Sequence, residues 1–152
     1  MIKKFLKKTF NIRDGEITIS FLMQLYVFLI ITILLIVKPT VNALFLKGLG
    51  ADNLAFAYLL IAGIAVVTSY FYNKAVRFYS LKRIIIFSLS FFAIAFIVLS
   101  VLYKLKLING SILYIYYVIS GIFAVLTTSQ FWLLANMVFN AREAKRLFGF
   151  IG

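Results

Sequence analysis

Few side chains in this chain can do chemistry, and those few sit in unusual company. Lys38 and the sole proline, Pro39, interrupt the apolar run "LLIVKPTVNALF", residues 34–45. Gln24 and Thr32 lie earlier in the same run, and a later run carries Ser120, "TTSQ" (residues 127–130) and Asn136. A lysine ammonium is a compact point charge that attracts phosphate or carboxylate. Amides and hydroxyls can bond a polar solute or another helix. The chemistry that is missing narrows the choice further. Cysteine and histidine are absent, which removes thiol nucleophiles, disulfides, zinc sites and imidazole acid–base catalysis. The acids are Asp14, Glu16, Asp52 and Glu143, scattered, with no paired carboxylates and no glycine-rich phosphate loop beside them. The expectation is a protein that is not an enzyme and that holds no metal and no cofactor.

These residues must be positioned by a chain that is 64% hydrophobic and 18% aromatic over 152 residues, with a mean hydropathy of +1.08. A soluble domain of this size does not have that composition. A helix crossing a bilayer needs about 20 mostly apolar residues. Four segments meet that requirement, residues 17–45, 54–72, 84–103 and 112–139. Residues 1–16 read as a cytoplasmic basic stub and residues 17–147 as a four-span transmembrane region. Residues 148–152 read as the apparent start of a fifth span; the chain is then either the N-terminal part of a longer one, whose further helices would be its partners, or a small four-span protein. The predicted fold is an all-α, polytopic membrane protein with consecutive helices antiparallel across short turns.

Sixteen Lys and Arg stand against four acids, a formal charge of +12. In a soluble protein that balance would suggest nucleic acid; in a membrane protein it orients the chain, and no nucleic-acid partner is expected. Twelve basic residues fall in the N-terminal stub, the loop after the second span and the loop after the fourth. Three, Lys47, Lys104 and Lys106, fall on the opposite side. This positive-inside bias places the N-terminus in the cytoplasm of a multi-pass protein of the cell (inner) membrane. The stub "MIKKFLKKTFNIR" reads as lying on the anionic lipid of the inner leaflet, with Ile2, Phe5, Leu6 and Phe10 toward the lipid.

Polar groups buried in a membrane usually face protein or a water-filled cavity. Counted from residue 17, Gln24 lies about 10 Å in; counted from residue 112 on the other side, Thr127 lies about 22 Å in. The first and fourth spans are therefore expected to share a polar lining. Lys38 lies about 32 Å beyond residue 17 by the same count. It reads either as snorkelling to the outer headgroups or, on a long, tilted or kinked first span, as facing an aqueous cleft below them. The small residues of the second span, Ala55, Ala57, Ala62, Gly63, Ala65 and Ser69, read as helix packing. Tyr70, Tyr72, Tyr114, Tyr116 and Tyr117 read as interfacial belts.

The stretch "SQFWLLANMVFNAREAKRLFGFIG", residues 129–152, resembles a segment of the bacterial and plastid type ATP/ADP translocases. There an aromatic pair precedes an Asn near the end of the fourth span, and "EAKR" leads into an aromatic, glycine-rich fifth. Phe131, Trp132, Asn136, Glu143, Ala144, Lys145, Arg146, Phe148 and Gly149 carry the likeness, and Lys38 stands where that family has a basic residue late in its first helix. Met137 and "KPTVNALF" depart from it, where many members carry acidic or amide residues. The resemblance implies a twelve-span carrier of major facilitator type, exchanging nucleotides by alternating access. It gives Lys38 the phosphate chain of a small anionic solute such as ATP or ADP. Gln24, Thr127, Gln130 and Asn136 would be further substrate contacts, though Gln130 and Asn136 read first as helix packing. Glu143, Lys145 and Arg146 read either as a cytoplasmic gate or as an exposed basic loop. A function of a different class stays open beside transport, that of a non-transporting four-span anchor or assembly module.

Overall fold

The computed structural model describes residues 16–139. Four helices make up nearly all of them: α1 (Glu16–Leu49), α2 (Leu54–Phe78), α3 (Leu81–Lys104) and α4 (Gly110–Val138). Each is long and apolar enough to cross a membrane, and the chain is an all-α, polytopic membrane protein. Lipid offers no hydrogen-bond partner to the backbone, so helices that satisfy their own N–H and C=O groups are what such a sequence can form.

The helices outrun the apolar windows, because helical hydrogen bonding does not stop where hydropathy does. α1 continues through Pro39 to Leu49. Pro39 has no N–H to give to the Leu35 carbonyl four residues back, yet the helix is unbroken. α2 runs through "NKAVRF", leaving only Tyr79 and Ser80 between it and α3. Ser80 accepts from the N–H groups of Arg83 and Ile84 at its carbonyl, which starts α3. Gly50, with φ 78° and ψ 171°, ends α1 in a conformation that side chains strongly disfavour. α3 ends differently. The Lys106 N–H donates to Tyr103 O and the Leu107 N–H to Leu102 O, while Lys106 itself takes φ 56°. That is the Schellman motif, in which Gly usually holds the left-handed position.

The described residues fall into two compact units, residues 34–127 and residues 16–33 with 128–139. In the larger unit α4 packs on all three other helices. It runs antiparallel to α1, with the Phe45 ring 5.2 Å from Tyr114 and 4.6 Å from Tyr117. It is also antiparallel to α3, where Phe92 and Phe96 meet Phe123 at 5.1 and 5.4 Å. Beside α2 it runs parallel, with Tyr58 against Tyr117 and Phe56 against Tyr114. The Tyr114 hydroxyl donates to Asn53 Oδ1, and Asn53 Nδ2 donates to Leu49 O, which ties the α1–α2 turn to the start of α4. Tyr116 and Tyr117 are buried in this packing rather than displayed as a belt. Of the small residues on α2, Ala57 is buried and Ala65 half-buried against α4, whereas Ala55, Ala62 and Gly63 face outward. In the smaller unit Tyr26 of α1 meets Phe131 of α4 at 6.1 Å.

α2 comes close to α4 at Gly121, where a Cβ would stand 2.7–2.9 Å from three carbons of Ile61. A β-branched side chain cannot clear that space by one rotation. Gly121→Val is expected to cost about 1–3 kcal/mol through overpacking, seen as a lower thermal midpoint of the detergent-solubilised protein. Gly63→Ala, where nothing lies within 4 Å, should leave the midpoint unchanged or slightly raised.

Candidate functional site

Side-chain hydroxyls in the spans are largely spent on their own helices. Thr32 donates to Phe28 O at 2.8 Å, Thr40 to Ile36 O at 2.7 Å, Ser120 to Tyr117 O at 2.8 Å and Thr127 to Phe123 O at 2.7 Å. This is what a hydroxyl does when no water is at hand. Thr127 is also buried, so its proton is committed to backbone and it presents no donor to a solute.

Lys38 is different. It is half-buried and has no hydrogen-bond or ion-pair partner among the described residues. Asn42 lies one turn further on the same face of α1, also half-buried and also without a hydrogen-bond partner among the described residues. Asn42 was missed in the sequence, although its position four residues after Lys38 was a signal of a shared face. The packed stripe of α1 explains why Lys38 is not fully outward. Val37, Val41, Leu44 and Phe45 recur at three- and four-residue spacing and pack in the larger unit's core, and Lys38 flanks them.

Register fixes the depth of Lys38. Phe45 is level with Tyr114 and Tyr117 on antiparallel α4, so Lys38, seven residues earlier, lies about 10 Å further along, beside residues 121–124. Those residues are at the middle of α4, which spans Gly110–Val138. Measured along α1 from Lys47, Lys38 is nine residues, or about 13 Å, nearer the interior. The count from residue 17 put it close to the far interface. The two counts differ because α1, with 34 residues, is about 51 Å long and exceeds a core of about 30 Å.

The smaller unit holds Gln24, Gln130 and Asn136. Gln130 is fully buried, Gln24 half-buried and Asn136 exposed. Ser20 and Tyr26, which sequence reasoning passed over, also belong here. Their hydroxyl oxygens are buried with no hydrogen-bond partner among the described residues. Ser20 precedes Gln24 by one turn, a spacing that would have revealed it. Of the aromatic pair, Phe131 turns inward and Trp132 outward. Lys38 and Thr127 belong to the larger unit. Glu143, Lys145 and Arg146, the basic stub of residues 1–15 and the fifth-span start lie outside the described residues.

The described residues hold no cluster of His, Cys, Asp or Glu that fits a metal ion. What the arrangement offers is a fixed positive charge with a neighbouring amide, at mid-helix depth. Lys38→Cys is expected to react with a charged, water-soluble thiol reagent at least about tenfold faster than Ile36→Cys, which lies about 200° around the helix. The chain contains no cysteine of its own, so modification is read without background.

Comparison with protein-family models, with curated proteins and with solved structures finds no match to this chain.

Proposed function

We propose that these helices belong to a secondary transporter that moves an anionic, nucleotide-like solute by alternating access, of the ATP/ADP exchange type. Lys38 is the observation that carries the reading. A lysine at the middle of a membrane helix costs about 2.5–3.5 kcal/mol on insertion scales. Lys38 has no carboxylate or backbone acceptor among the described residues to offset that cost. Intramembrane charges of this kind mark solute pathways.

Lys38 would meet the phosphate chain as a point charge, and Asn42 would add a hydrogen bond from the same face. Within the other unit, Gln24 and the Ser20 and Tyr26 hydroxyls are neutral polar groups, and Gln130 is a buried amide. Thr127, its proton bonded to Phe123 O, would serve as wall rather than ligand. The resemblance of residues 129–152 to the ATP/ADP translocases supports a nucleotide as the solute and a major facilitator frame. The positive-inside count supports a cytoplasmic N-terminus in the cell (inner) membrane.

Exchange of labelled ATP for internal ADP, measured in proteoliposomes, tests the reading. Lys38→Ala should insert normally and lose roughly ten- to a hundredfold of the exchange rate, the range expected for a charge-assisted contact. Lys38→Arg should keep most of it if a charge is what the site needs. Undiminished exchange in Lys38→Ala would remove Lys38 from the pathway. No exchange of any nucleotide by the wild-type protein would favour the anchoring role instead.

A further inference from the structure

The three lysines at the α1–α2 and α3–α4 turn end line a single cavity. Lys47 closes α1, Lys104 closes α3, and Lys106 follows in the turn. All three border a cavity of about 560 Å³ whose walls include Leu44, Leu113 and Tyr103. Asp52, the acidic residue of the same end, does not line it. Gly48 lines it too, and the absence of a Cβ there lets Leu113 of α4 come against α1. The cavity is thus cationic at its rim and apolar along its side, at the level where helices give way to turns.

Helix capping accounts for part of this charge. Lys47 and Lys104 sit in last turns, where a cation complements the helix dipole. Capping does not account for Lys106. It lies past the helix end with φ 56°, the left-handed position that Gly fills at least cost. Lysine there is locally unfavourable, and an unfavourable backbone choice is a pointer to a role for the side chain.

We propose that this cavity binds an anionic phospholipid of the leaflet facing the α1–α2 and α3–α4 turns, its phosphate among Lys47, Lys104 and Lys106 and its glycerol and upper acyl chain against Leu44 and Leu113. Lysines held at a membrane surface attract anionic headgroups through their charge, each by about 1 kcal/mol. The apolar wall favours a lipid over a free phosphate compound, which would leave that wall unused. This site is independent of the transport reading and lies at the end opposite the basic α2–α3 turn.

Native mass spectrometry of the full protein, released from micelles holding equal phosphatidylglycerol and phosphatidylcholine, tests the proposal. Wild type should retain phosphatidylglycerol preferentially. Lys106→Gly should weaken that binding about fivefold, the factor for one lysine near a membrane surface. It should also keep or raise the thermal midpoint, because Gly suits the left-handed cap; lost lipid could not then be ascribed to lost fold. Adding Lys47→Gln and Lys104→Gln should abolish the preference, while Lys82→Gln with Arg83→Gln at the other end should preserve it. Equal retention of both lipids by wild type, or a preference untouched by the triple change, would overturn the proposal. So would lysine-dependent binding of pyrophosphate in phosphatidylcholine nanodiscs without headgroup preference, which would make this a site for soluble phosphates.

Discussion

The Phe45 ring, set against Tyr114 and Tyr117, governs the larger unit because it locks the register of α1 on α4. In lipid there is no water to exclude between helices, so association depends on dispersion, close packing and a few polar bonds. Aromatic pairs add about 0.5–1.5 kcal/mol each beyond area, and several meet around this one residue. Gly48 and Gly121 matter for the same reason: each removes a Cβ where a neighbouring chain must come close. The Asn53–Tyr114 hydrogen bond then holds the turn in the register that packing has chosen.

Once that register is fixed, the polar residues divide into two kinds. The hydroxyls of Thr32, Thr40, Ser120 and Thr127 return to carbonyls of their own helices, which satisfies them without any partner outside. Lys38 and Asn42 have no such local solution, since neither is bonded among the described residues. A hydroxyl can reach the carbonyl four residues back, whereas an ammonium on a four-carbon stem is placed away from the helix axis. Within the larger unit, the unbonded polar content of α1 is therefore one narrow face, Lys38 and Asn42.

Charge is arranged at two levels with different physical consequences. The ends of α2 and α3 that flank the Tyr79–Ser80 turn carry Lys74, Arg77, Lys82 and Arg83, all exposed, residues of the kind whose distribution biases insertion. At the opposite end a smaller charge is gathered around one cavity. Gathering is what separates a binding feature from an orienting one, because the field of three nearby cations adds where a ligand would sit.

Much of the fold was legible in the sequence. Hydropathy and length alone require four membrane helices, because an apolar run in lipid must hydrogen-bond itself. The polar residues of the first and fourth spans stood out for the same reason. Helix ends were less legible: α2 runs through a charged stretch and α1 runs on to Leu49, since hydropathy reports the solvent and not the hydrogen bonds. What only tertiary structure decided was depth and facing. Tyr116 and Tyr117 look like belt residues until α1 and α2 pack over them, and Thr127 looks available until its proton is found on Phe123 O. The level of Lys38, beside the middle of α4, is likewise set by packing. No count along one chain can supply that, because it depends on a contact between residues some seventy positions apart.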